Sequence, residues 1–164
     1  MSALVKDALT FATAAHAGVS RRWTGEPYIT HPERVAAMLE PLGFGPEVIA
    51  AALLHDVVED TDATVATLAA RFGPMVAALV SEVTKPVAPG NRAARKAAYK
   101  AHLAGSSYAG ASIKLADMLD NSSNVASHDA KFAALYFVEM RDNMTVLGHG
   151  HPALVAAMTA RLAG

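Results

Sequence analysis

Cysteine is absent from this 164-residue chain. That excludes disulfides, thiolate metal sites and cysteine nucleophiles. It is compatible with a reducing compartment, so a cytoplasmic location is the expectation. Aromatic residues are scarce, at 6%, so the apolar 52% is mostly aliphatic. Its abundance of alanine favours helix. Net charge is nearly absent, at −1. No strong field is therefore available to hold long nucleic acid or an anionic membrane, and neither is expected as a partner. No uninterrupted apolar run approaches the ~18 residues that span a bilayer. Lys6 and Asp7 interrupt the N-terminal apolar residues, so no signal peptide is read. The length suits one domain with a sizeable core over residues 1–164.

What is present reads as helix. Apolar spacing predicts helices over about 2–17, 32–39, from Pro46 through His55 and Asp56, 65–71, 74–84, 92–104, 108–126, 130–147 and 152–162. Ser2 and Thr64 stand at N-cap positions, and Gly18 ends the first helix. Residues 19–31 are too polar and too broken by Gly and Pro for regular structure, and 85–91 reads as a loop. No strand pattern emerges, so an all-α bundle is expected.

The richest chemistry lies in Leu53-Leu54-His55-Asp56-Val57-Val58-Glu59-Asp60-Thr61. Glu59 is one helical turn from His55 and Asp56, and Asp60 one turn from Asp56, so four ionisable groups crowd one stripe of an oily helix. Burying that much charge is costly unless a metal or partners compensate it. His31 precedes Pro32 at a helix start. Asp117 sits in an apolar frame of Ile113, Leu115, Met118 and Leu119, which predicts an inward carboxylate, with pairing to Lys114 as its plain structural role. Together His31, His55, Asp56 and Asp117 offer two imidazoles and two carboxylates. Such a mixed set suits Mn, Fe, Co, Ni or Zn better than Ca or Mg. Glu59 and Asp60 can orient and deprotonate a water, or else form a solvated helix end. His16, His102 and His128 read as packed or surface residues, and His149 and His151 as loop residues rather than a metal pair. Arg21, Arg22, Lys85, Lys114, Arg141 and the cluster at 92–100 are the cations available to phosphates.

Gly25-Glu26-Pro27-Tyr28-Ile29-Thr30-His31-Pro32, Leu54-His55-Asp56-Val57-Val58-Glu59-Asp60-Thr61, and Lys114-Leu115-Ala116-Asp117 with Asn121 carry a resemblance. Together they resemble the HD-domain hydrolase of the RelA/SpoT alarmone family, over at least residues 16–121. The resemblance implies an all-α HD-domain helical bundle and one Mn²⁺ held by His31, His55, Asp56 and Asp117, with Glu59 and Asp60 as the catalytic pair. It implies a free-standing small hydrolase that removes the 3′-diphosphate of guanosine tetra- or pentaphosphate, leaving GDP or GTP and pyrophosphate. It also implies that Arg22 packs on the guanine, that Thr24 hydrogen-bonds substrate and that Asn121 lies near the ribose. Asn121 could equally be a buried amide tying helices together, and Tyr28 a structural residue. Two departures stand out: Trp23 replaces a common Lys, and Met118-Leu119-Asp120 lacks the basic residue common there. The alternatives are an HD phosphohydrolase acting on another phosphorylated nucleotide, such as a dinucleotide cofactor, and a non-catalytic nucleotide-binding domain.

Overall fold

The computed structural model describes residues 1–163, apart from the side chains of residues 124 and 126. Its elements are α1 (Ala3–Ala15), α2 (Thr30–Leu39), α3 (Pro46–Leu54), α4 (Val57–Asp60), α5 (Val65–Phe72), α6 (Pro74–Val83), α7 (Arg92–Ala104), α8 (Tyr108–His128), α9 (Ala130–Met144) and α10 (Pro152–Ala163), with a 3-10 turn at Glu40–Leu42. No strand occurs among the described residues; Ser20 and Pro27 form an isolated bridge. The all-α expectation is met. No helix among the described residues is long and apolar enough to cross a membrane.

The N-cap signals work as expected. The Ser2 hydroxyl accepts from the Val5 amide and the Thr64 hydroxyl from the Thr67 amide, each satisfying a donor the first helical turn leaves open. α1 ends earlier than expected, at Ala15 with His16 as its cap, and Gly18 adopts φ +80° in the turn that follows, a left-handed conformation glycine takes at little steric cost. The polar stretch from 19 to 28 closes on itself: the Arg21 amide donates to the Glu26 carbonyl (2.8 Å) and the Tyr28 amide to the Val19 carbonyl (2.9 Å).

α3 forms the centre. Every residue from Val48 to Leu54 is buried, and the helix packs against α1, α2, α6 and α8. A helix apolar all round belongs in a core, and Ala50, Ala51 and Ala52 let neighbours approach closely. α8 contributes Ile113, Leu115, Ala116 and Met118 to the same core and also packs on α2, α9 and α10.

Several boundaries differ from expectation: α9 stops at Met144, short of 147, and two further differences bear on the site. α2 begins at Thr30, with Pro32 inside its first turn. The helix from Pro46 breaks at His55–Asp56 and resumes as the one-turn α4. The cause is local. The His55 ring donates from Nδ1 to the Ala52 carbonyl (2.7 Å), the acceptor that a continuous helix offers the Asp56 amide. Both side chains at the break line the cleft walled by α7, α8 and α9.

Candidate metal centre

Three segments converge beside a cleft of about 760 Å³, which His55, Asp56 and Asp117 line. His31 enters from the first turn of α2, His55 and Asp56 from the break after α3, and Asp117 from the middle of α8. His31 and His55 are buried, at 0% and 4% exposure. His31 Nε2 lies 3.2 Å from Asp117 Oδ1 and 3.5 Å from Asp56 Oδ2; His55 Nε2 lies 3.1 Å from Asp56 Oδ2 and 3.6 Å from Asp117 Oδ1. The structure thus brings His31, His55 and Asp117 together, with one ligand atom of each within 4.8 Å of the others, and sets Asp56 Oδ2 beside both imidazoles.

The tautomers are set from outside. His31 Nδ1 faces Asp120 Oδ2 at 2.6 Å, and His55 Nδ1 faces the Ala52 carbonyl. Both partners are acceptors, so the Nδ1 atoms carry protons and the Nε2 atoms are left as lone-pair donors. Those two Nε2 atoms are buried and hydrogen-bonded to nothing. Buried polar atoms are almost always partnered, and a cation between the imidazoles and the carboxylates would satisfy both. The spacing fits as well. Donor atoms about 2.0–2.2 Å from one ion stand roughly 2.8–3.6 Å apart at octahedral or tetrahedral angles, and all four contacts fall inside that range.

The electrostatics agree. Burial alone would push the His31 imidazole down, but the surrounding carboxylates of Asp117, Asp120 and Asp56 outweigh it and lift it to about 9. His55 is likewise raised well above the usual imidazole range, its burial overcome chiefly by the Asp56 charge. Burial opposes ionisation of Asp56 and Asp117, yet the imidazoles, and for Asp117 first the Lys114 ammonium, hold both well below the usual carboxylate range. The centre attracts about two positive charges, which two protons or one divalent cation would supply.

Around this set lie supporting contacts. The Tyr28 hydroxyl donates to Asp56 Oδ2 (2.6 Å). Lys114 Nζ donates to Asp117 Oδ2 (2.7 Å) and Asn121 Nδ2 to Asp117 Oδ1 (2.6 Å). Arg21 bridges Asp120 (3.3 Å) and Asn121 (3.0 Å). Lys114 and Asn121 therefore brace a carboxylate as well as lining the cleft, and the Asp117–Lys114 pair coexists with Asp117 facing the imidazoles.

Glu59 and Asp60 line the same cleft. Glu59 accepts from the Lys85 amide (2.7 Å) and ammonium (2.9 Å). Asp60 is exposed, and its carboxyl is raised by partial burial and the nearby Asp56 charge. The remaining expectations fare differently. Thr24 is exposed and its hydroxyl donates to Glu26 (2.9 Å), within the turn rather than on the cleft wall. Arg22 is exposed, with its guanidinium 4.5 Å from the Trp23 ring and 5.5 Å from the Phe132 ring. Arg141 is not at the site. Its guanidinium donates to the Leu162 carbonyl (2.8 Å) and lines a separate shallow hollow, so it ties α9 to α10. Its position on α9 turns it away from the cleft wall formed by Phe132, Tyr136, Glu139 and Asn143.

Several contributors were not legible as site residues. Phe132 and Tyr136 form a stacked pair (centroids 5.7 Å apart) on the cleft wall, and Trp23 packs beside Phe132 at 6.0 Å. Nothing in their spacing distinguishes them from core aromatics. Asp120 did carry a signal, since it sits one turn from Asp117 in the same apolar frame.

Known proteins resemble this chain in sequence and fold. The family model described as an HD domain matches residues 8–134. Guanosine-3′,5′-bis(diphosphate) 3′-pyrophosphohydrolase from Aquifex aeolicus is 52% identical over 81 residues, 49% of this chain and 12% of that protein. The bifunctional (p)ppGpp synthase/hydrolase SpoT from Escherichia coli K12 is 47% identical over 81 residues, 49% of this chain and 11% of that protein. The chain thus spans only a small part of the curated relatives it matches. Among solved structures, a metazoan ortholog of SpoT that hydrolyzes ppGpp superposes with a TM-score of 0.91 at 31% identity, covering 99% of this chain and 96% of that one. A protein from Listeria monocytogenes superposes with a TM-score of 0.71 at 30% identity, covering 86% of this chain and 96% of that one. With a family match across most of its length and near-complete overlap with a relative above 30% identity, the chain belongs to the HD-domain family, in its SpoT-type branch.

Proposed function

We propose that this protein is a metal-dependent (p)ppGpp 3′-pyrophosphohydrolase, acting as one unit over the whole chain and using Mn²⁺. The observation that carries the proposal is the pair of buried, unpartnered Nε2 atoms of His31 and His55, facing Asp56 and Asp117 beside a nucleotide-sized cleft. The names of the curated relatives and the metazoan ortholog point to the same substrate.

His31, His55, Asp56 and Asp117 would hold the ion. When bound, it would supply positive charge for a phosphate oxygen and make a nearby water more acidic. The chain does the rest. Burial and the Asp56 charge raise the Asp60 carboxyl, so it suits proton abstraction from the attacking water. Glu59, pinned by Lys85, orients that water. The ammonium groups of Lys85 and Lys114, with Arg92 and Lys96 across the cleft, offset the charge of a polyphosphate. Phe132 and Tyr136 give the base a flat apolar wall, with Arg22 and Trp23 beside Phe132. Attack by water at the 3′-diphosphate breaks the bond to the ribose oxygen and releases pyrophosphate, leaving GDP or GTP.

The test incubates Mn²⁺-loaded protein with ppGpp, pppGpp, ATP and a 2′-phosphorylated dinucleotide. Pyrophosphate release from the first two is expected. Orthophosphate from the dinucleotide alone would replace this function with a phosphatase. Binding of ppGpp without turnover would make the chain a non-catalytic nucleotide binder.

A further inference from the structure

We infer that Asp120 is a positioning residue: it fixes His31 in the orientation and tautomer that a metal ligand needs, and the site's affinity for its cation depends on it. The inference rests on the cation site proposed above. Asp120 is 4% exposed and follows Asp117 by three residues on α8, so both carboxylates share one face of one helix. That helix thereby supplies one candidate ligand directly and controls a second through its ring.

The geometry leaves Asp120 little freedom. Oδ2 accepts from His31 Nδ1 at 2.6 Å, Oδ1 accepts from Arg34 Nε at 2.8 Å, and Arg21 approaches Oδ2 at 3.3 Å. Arg34 reaches on to Glu26. The carboxylate is clamped between two guanidiniums and cannot swing to the cation itself. What it can do is hold the proton on Nδ1 and so keep the Nε2 lone pair pointing at Asp56 and Asp117. His55 needs no such side chain, since the Ala52 carbonyl plays this part. The two imidazoles are therefore oriented by different means, one by backbone and one by a replaceable carboxylate. An anionic acceptor behind an imidazole also makes it a stronger donor to a metal, and loss of such partners typically costs about 10–100-fold in metal affinity.

The experiment titrates metal-free wild type, Asp120→Asn and Asp120→Ala with Mn²⁺ and with Zn²⁺. Circular dichroism and melting of the metal-free proteins separate folding from binding. Asp120→Ala is expected to weaken binding by about 10–100-fold, with Asp120→Asn, which keeps an acceptor oxygen, falling between. Should Asp120→Ala fail to fold, Asp120→Asn and nitrogen-15 spectra of the zinc-loaded wild type still decide. The wild-type spectra are expected to show a hydrogen-bonded proton on His31 Nδ1 and a metal-bound Nε2. Wild-type affinity in both variants, or a proton on Nε2, overturns the role of Asp120 and leaves the cation site standing. A wild-type chain that takes up neither ion overturns the site itself.

Discussion

His31 and His55 each give one ring nitrogen to a fixed acceptor and leave the other facing two carboxylates. Four of the site's side chains could be named in advance because each was out of place: a His beside Pro32 at a helix start, a His-Asp pair ending an apolar helix, an Asp in an apolar frame. The substrate side was less legible. A basic residue shows its charge in the sequence but not its partner, and Arg141 is engaged by the Leu162 carbonyl. Arg141→Ala is therefore expected to leave KM unchanged while lowering stability by about 1 kcal/mol, the net worth of a typical hydrogen bond; a raised KM at unchanged melting temperature would put Arg141 back at the substrate. Glu59→Gln and Asp60→Asn are expected to keep the cation and lose turnover by about 10²–10⁴-fold. Near-normal kcat in both variants would remove the pair from the chemistry.

At the scale of elements, nine of the ten described helices followed from periodicity, and the Ser2 and Thr64 caps from residue type. The break at His55–Asp56 did not, because it depends on a side chain taking a backbone acceptor, which periodicity cannot register. The relation between α7 and α9 was equally hidden. The basic helix reads as a solvated face, yet Arg92 and Lys96 both reach Glu139 and Lys100 reaches Asp142, joining the two helices beside the cleft. These pairs are largely solvent-exposed, so Glu139→Gln is expected to change global stability by less than about 1 kcal/mol. Its effect should appear instead as faster hydrogen exchange in α7 and a lower KM, because Arg92 and Lys96 lose their internal counter-ion. Unchanged exchange and KM would mean that the pairs tie nothing together.

Across the whole molecule, the core and the site share one support. α3 is buried from Val48 to Leu54 and is followed directly by two of the four candidate ligands. Leu54, fully buried and adjacent to His55, should cost about 2–5 kcal/mol on truncation to Ala. Cation affinity should fall with it, seen by comparing melting and Mn²⁺ binding in Leu54→Ala. The cation in turn should stabilise the fold, by about 2.7 kcal/mol at a free concentration a hundred times its dissociation constant. A chelator should therefore lower the melting temperature of the wild type but not that of His55→Ala.

The central claim is that His31, His55, Asp56 and Asp117 hold one divalent ion together. Metal content after equilibration with Mn²⁺ and removal of free ion tests it most directly, in the wild type, His31→Ala, His55→Ala and Asp117→Asn. The account predicts one ion per wild-type chain and almost none in any variant that remains folded. Equal metal content in wild type and variants, or no ion in the wild type, would contradict it.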